Sequence, residues 1–331
     1  MNALLSLVAV IALVLIAFIG IKIANLHFLF GVVIPYAAIA IFLIGVIYRA
    51  VKWGRTPVPF RIPTTCGQQK SLPWIKQAKL DNPSSTSGVI GRMLLEVFLF
   101  RSLFSNTKFE LKEGPKIVYG STKWLWLGGL AFHWSFFVVL VRHIRLFTEP
   151  VPSFLHSIEV LDGFLQVGVP GVLISGVVLL LAVTYLFLRR VFIPEVRYIS
   201  LAADYFPLFL IMSVALSGIL MRYFLRVDLV SIKELTIGLA SFSVAVSLEK
   251  ISVIFYIHLF LVSTLFAYIP FSKIMHLGGV FFTPTRNLAN TSRIERHINP
   301  WDYPVKVRTY EEYEDDFREK MKDAGIPVEK E

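Results

Sequence analysis

One cysteine, Cys66, stands in a chain of 331 residues. A single thiol excludes an intrachain disulfide. It also excludes a self-contained iron–sulfur cluster, which takes about four cysteine ligands, so any such cluster would belong to a partner. Charge is scarce too: 17% of the residues are charged and 55% hydrophobic, with a mean hydropathy of +0.66. That balance excludes an ordinary soluble globular domain and places the chain with polytopic membrane proteins. No nucleophile constellation, nucleotide motif, internal repeat or low-complexity stretch is present. The formal net charge of +10 raises nucleic acid as a partner, but no basic motif supports it, and the placement of the Lys and Arg residues gives a simpler account.

A membrane span needs about 20 mostly apolar residues. Six segments qualify, at roughly 4–24, 28–50, 124–147, 165–188, 204–225 and 251–272. The first has no basic residue in Met1–Leu5 and no small-residue cleavage site after it. The next apolar run begins directly after Asn25 and Leu26, so the pair reads as a retained helix hairpin and not as a signal peptide. Segment 51–123 is rich in Lys and Arg, the 189–203 connection carries Arg189, Arg190 and Arg197, and the tail is basic again. The 148–164 connection holds Glu149, Glu159 and Asp162 with no Lys or Arg, and 226–250 is nearly neutral. Six spans in the cytoplasmic membrane with both termini cytoplasmic satisfy every loop, and the basic residues act as positive-inside anchors.

The 51–123 loop is too long for a plain connector. Within it, VIGRMLLEVFLFRSLF (Val89–Phe104) sets an apolar face against Arg92, Glu96 and Arg101 and predicts an amphipathic helix in the cytoplasmic interface; the alternative is a short re-entrant or buried helix, since the run is too short to span. YEEYEDDFREKMKDAG (Tyr310–Gly325) runs from acidic to basic and stops at Gly325, the pattern of a solvated or partner-docked helix.

Histidine is rare inside spans and is a functional hypothesis wherever it occurs there. The third span holds His133 and His143, while His258 and His276 lie in and just beyond the sixth. These spans are antiparallel, which pairs His133 with His276 near the cytoplasmic side and His143 with His258 near the outer side. A neutral imidazole on each side of an iron closes both axial positions, leaving an electron carrier. The expected fold is therefore an all-α integral membrane protein, a six-helix bundle with two b haems between antiparallel helices. The alternative is four unrelated interhelical or interfacial histidines. The rises do not match: on ideal helices His133 and His143 are about 15 Å apart, His258 and His276 about 27 Å. Pro270 lies between the latter two and kinks or ends the helix, which puts His276 on a displaced terminal turn. His27 reads as an interface residue in the outer turn and His297 as a surface residue of the tail. His156, near Glu159 and Asp162, is either a solvated loop residue or part of a quinone pocket, where quinol oxidation needs a hydrogen-bonding group and a carboxylate to take protons.

Histidines ten apart on one span, and eighteen apart on and after a later one, resemble the dihaem cytochrome b (gamma) subunit of respiratory nitrate reductase, a family that includes the membrane subunit of methanogen heterodisulfide reductase. The loop TTCGQQKSLPWIKQAKLDNPSS (Thr64–Ser85), the run GRMLLEVFLFRSLF and the tail TYEEYEDDFREKMKDAGIPVE are similar to the M subunit of the dissimilatory sulfite-reduction-associated (Dsr) membrane complex. The resemblance implies a menaquinone-linked dihaem subunit bound to a cytoplasmic iron–sulfur protein related to heterodisulfide reductase. It makes His133, His143, His258 and His276 the axial ligands of two haems b. The nitrate reductase gamma subunit carries a quinol-site lysine about twenty residues after the second histidine; this chain has Asp162 and Gly163 there.

The domain expectation is a helix hairpin over 1–50, a basic cytoplasmic loop over 51–123, a four-helix dihaem domain over 124–276 and a partner-docking tail over 277–331. Menaquinol would be oxidised near the outer His143/His258 pair, with Asp162, Glu159 and His156 as proton-release candidates. Electrons would leave past the inner pair to the partner, or run the other way. Arg142 and Arg145 flank His143 and are candidates for haem propionates, or they snorkel to the interface. Three rivals remain open: a heterodisulfide reductase subunit using another lipid carrier, a transporter with histidine proton sites, and a non-redox anchor. The spans lack the paired mid-membrane acids and repeat symmetry of a transporter, and an anchor leaves the histidines unexplained.

Overall fold

The computed structural model describes residues 1–57, 67–114, 116–163, 171–295 and 304–330; Arg61, Cys66 and His297 lie outside them. Among the described residues six helices are long and apolar enough to cross a membrane, and in hydrocarbon a helix satisfies every backbone N–H and C=O internally. They are α1 (Asn2–Lys22), α2 (Leu29–Gly54), α5 (Lys123–His143, extended by a 3-10 turn to Leu146), α7 (Ile174–Phe192), α9 (Ala202–Ile219, continued by a π-helical turn to Leu225) and α11 (Val253–Tyr268, with a 3-10 turn to Phe271). The chain is a multi-pass membrane protein. Its helices pack in the order α5–α7–α9–α11, and α1 and α2 lie against α9 and α11. The core where they meet includes Ile21, Phe30, Val183, Leu210, Tyr256 and Leu261.

Five of the spans fall where hydropathy puts them. The fourth differs: α7 starts at Ile174, not near 165, and runs on to Phe192. Pro170 and Gly171 stand just before it, and the helix persists until Ile193, held extended by Pro194 because a residue before proline avoids the helical region. Pro194–Ile199 then makes the short α8. The 148–164 and 226–250 connections carry two further helices, α6 (Ser153–Asp162) and α10 (Leu229–Ala240).

The segment between the second and third spans forms α3 (Thr86–Leu99), α4 (Arg101–Ser105) and a hairpin of β1 (Thr107–Lys112) and β2 (Lys116–Ser121), the one departure from an all-helical chain among the described residues. The amphipathic helix is present with its polar face turned inward. Arg92 and Glu96 are buried, while Ile90, Leu94 and Phe98 are exposed. Arg92 donates to the Thr285 carbonyl (3.1 Å), and Glu96 accepts from Arg286 (2.7 Å) and Ser102. Their partners follow the last span, past the short α12 (His276–Gly279), on and beside α13 (Pro284–Asn287). Buried amides extend the joint: Asn290 donates to Asn82 Oδ1 at 3.0 Å, and its backbone N–H to the Pro83 carbonyl at 2.8 Å. Loop and tail thus form one cap.

The tail ends in α14 (Tyr310–Asp323), opened by a reciprocal cap between Thr309 and Glu312 and stopped by Gly325 at φ +69°. Glu314 is buried and accepts the backbone N–H groups of Glu329 and Lys330, both at 2.8 Å. Those two donors, and then Arg318, hold its carboxyl below the ordinary glutamate range. A depressed carboxyl stabilises the fold above the unfolded pKa of about 4.3 and loses that contribution as pH falls through its folded value. The Glu329 and Lys330 amides are therefore expected to be protected from hydrogen exchange at neutral pH and to lose that protection as acid takes the pH through the lowered folded value, and Glu314→Ala removes it at every pH.

Gly45 of α2 lies against the turn that ends α11: a Cβ there would sit 2.5 Å from Pro270 Cβ, a buried ring that cannot rotate away. Gly45→Ala is expected to cost about 1–3 kcal/mol as overpacking, read as a lower melting temperature in detergent.

Candidate functional site

α5 and α11, the first and last helices of the four-helix order, carry the histidines. His133 faces His276 with ring centroids 5.9 Å apart and planes at 84°. His143 faces His258 at 6.4 Å and 13°. The pairing is the one antiparallel spans dictate. The rise mismatch disappears because α11 stops at Tyr268, two 3-10 turns follow through Pro270 and Lys273–Met275, and His276 opens α12.

In three of the four imidazoles Nδ1 meets a backbone carbonyl: His133 on Gly129 (2.7 Å), His143 on Val139 (2.7 Å) and His276 on Lys273 (2.9 Å). A carbonyl only accepts, so Nδ1 carries the proton and Nε2 keeps its lone pair. His258 Nδ1 lies 2.8 Å from Ser217 Oγ on α9, whose own proton goes to the Val214 carbonyl at 3.0 Å, so this ring too is a donor at Nδ1. All four therefore offer Nε2 to a ligand, the tautomer a metal-binding histidine needs. Two imidazoles binding one ion from opposite sides, with metal–nitrogen bonds of about 2 Å, place their centroids about 6 Å apart. Both pairs fit. No group of three or more His, Cys, Asp or Glu side chains converges on a metal position among the described residues; a porphyrin iron is a metal that arrives with its equatorial ligands and needs only two axial donors.

The His133 pair is walled by aromatics. Phe100, in left-handed backbone at φ +49°, points its ring at His133 with centroids 4.8 Å apart. The end of α3 is pinned there by two indoles of α5, Trp126 donating to the Leu99 carbonyl (2.7 Å) and Trp134 to that of Phe98 (3.0 Å). A cavity of about 500 Å³ beside His276 is lined by Arg49, Trp53, Tyr268 and Lys273, among others.

Near the His143 pair the structure brings together the residues that sequence reasoning assigned to two roles. Arg142 pairs with Asp162 at 2.6 Å and Arg145 with Glu159 at 2.5 Å. Asp162 is buried and fully engaged: Oδ1 accepts the Ser175 N–H (2.7 Å), and Oδ2 accepts Ser175 Oγ (2.6 Å) and Arg142. It thereby caps the N-terminus of α7. Glu159 and the exposed His156 line a cavity of about 240 Å³ with Arg142, Arg145, Val151 and Leu155. Ser217 and Phe100 were not visible as site residues in the sequence, since neither lies near a histidine along the chain.

The family model of the nitrate reductase gamma subunit matches residues 98–297. An Hdr-like menaquinol oxidoreductase cytochrome b-like subunit of Archaeoglobus fulgidus is 47% identical over 280 residues, covering 83% of this chain and 83% of that protein. Its counterpart in Archaeoglobus profundus is 43% identical over 285 residues, covering 83% and 84%. The matched region holds α5, α7, α9, α11 and all four histidines, and the chain belongs to the nitrate reductase gamma-subunit family.

Proposed function

We propose that this chain is a quinone-reactive dihaem cytochrome b subunit that moves electrons from menaquinol to a cytoplasmic iron–sulfur partner related to heterodisulfide reductase. The observation that carries the reading is the two facing imidazole pairs, each with both Nε2 lone pairs available, at two depths of one bundle. The relatives' description as menaquinol oxidoreductase subunits supports it, and the similarity of the 64–85 loop and the tail to the Dsr M subunit supports a place in sulfite or sulfate respiration. Two haems b, when bound, supply one-electron carriers near opposite faces of a core about 30 Å thick.

The chain's own residues do the rest. With the termini and the 51–123 segment cytoplasmic, as the distribution of basic residues requires, the His143/His258 pair lies toward the outer face. The cavity between Arg145, His156 and Glu159 there is open to the quinol headgroup. His156 accepts a hydrogen bond from a quinol hydroxyl, and Glu159, half-exposed beside Arg145, takes the proton to the outer water. Asp162 keeps Arg142 and the start of α7 in place. On the inner side the cap of loop and tail is the docking surface for the partner, which must hold the iron–sulfur clusters because this chain has one cysteine. The four regions 1–50, 51–123, 124–276 and 277–331 then serve as hairpin support, basic docking loop, haem domain and docking tail.

A dithionite-reduced minus oxidised spectrum of the purified chain, with pyridine haemochrome quantitation, is expected to give two haems b per chain. His143→Ala and His276→Ala are each expected to remove one. A chain produced with haem in supply that binds none would overturn the electron-transfer reading. The ring planes make a second prediction. Nearly parallel imidazoles at the His143/His258 position split the iron dπ orbitals, and perpendicular ones at His133/His276 leave them close in energy. Oxidised protein is expected to show two low-spin EPR signals, one rhombic and one highly anisotropic, with His276→Ala abolishing the second.

A further inference from the structure

Arg222 is a charged residue within the fifth span. It stands in the π-helical turn Leu220–Leu225 that continues α9, and such turns are frequent at functional sites. Just before that turn α9 touches His258: Ser217 receives its Nδ1–H, and a Cβ on Gly218 would lie 3.6 Å from its Cε1. Arg222 follows four residues after Gly218; its neighbour Tyr223 accepts the Leu173 N–H at 2.8 Å, at the start of α7 where Arg142 donates to Ser175 Oγ at 3.2 Å. Both guanidinium groups bury an Nε that has no hydrogen-bond partner among the described residues.

Asp162 is taken up by Arg142 and Ser175, Glu159 by Arg145 and Glu149 by Lys233, and Arg222 is in no ion pair among the described residues. The segment FLQVGVP (164–170) contains no Asp or Glu. Asp162 therefore serves Arg142 alone, and Arg222 stands in the span with no ion-pair partner among the described residues, in a low-dielectric region where a charge needs one. A second anion completes the site, and a carboxylate matches the paired donors of a guanidinium.

We propose that Arg222, together with Arg142, binds a propionate carboxylate of the haem held by His143 and His258. The proposal rests on the dihaem reading and assigns Arg222 as a binding residue for that haem alone. A cation on the propionate favours the reduced haem. Arg222→Gln is accordingly expected to lower the midpoint potential of the haem with the rhombic EPR signal, leave the other unchanged, and shift the propionate bending band in the resonance Raman spectrum. Arg222→Lys, which keeps the charge, is expected to retain most of the wild-type potential. The unaltered second haem serves as the folding control. A potential that moves without the propionate band means that another anion, such as a lipid phosphate, occupies the site, and this overturns the proposal. So does an unmoved potential, or an equal shift of both haems. Protein that contains no haem at all instead rejects the dihaem reading itself.

Discussion

A histidine among apolar helices must commit both ring nitrogens, since neither can be left facing hydrocarbon without cost. Fixing Nδ1–H on an acceptor settles the tautomer and aims Nε2, and much of the architecture follows from where that acceptor is found. On α5 the helix supplies it, through the carbonyls one turn back at Gly129 and Val139. The facing side is built differently. His258 needs Ser217, so α9 must lie against α11. His276 needs the Lys273 carbonyl, so the chain must leave the helix at Pro270 and turn before it can present the ring.

The two ends of the bundle are held by different forces. Beyond the His143 pair, α6 and α10 are drawn to the end of α5 by Arg142–Asp162, Arg145–Glu159 and Lys233–Glu149. A buried pair such as Arg142–Asp162 adds little net stability, yet loss of one partner strands a charge and costs about 3–5 kcal/mol, so its value lies in fixing position. At the other end, amides do the joining. Gln69, Asn82 and Asn290 form a buried cluster, and Arg92 and Glu96 reach across to the segment after the last span.

The six spans and the partnering of the histidines were legible in the sequence, because apolar length and antiparallel order are properties of the chain alone. The start of α7 was read too early, since hydropathy does not register that residues 171–173 stay outside the helix. The polar face of α3 was expected toward water; it is turned inward because Arg286 and the Thr285 carbonyl, nearly two hundred residues away, satisfy it. Arg142, Arg145, Glu159 and Asp162 were each visible as charges near His143, but their pairing depends on α6 folding back along α5. Ser217 and Phe100 depend on which faces of α9 and α3 meet the histidines, and one sequence does not encode that directly. Arg222 did carry a signal, a cation inside an apolar span.

The amide joint between Asn82 and Asn290 also bears on biogenesis. Its two halves are separated in the chain by α5, α7, α9 and α11. During synthesis the loop before α5 therefore waits for Thr285, Arg286 and Asn290 until the segment after the last span has emerged. Closure of so long a loop is an entropic cost met late. His133 waits with it, because His276 sits only a few residues before that segment. Of the two imidazole pairs, the one under the cap can be completed only after α11 and the turns that follow it have been made.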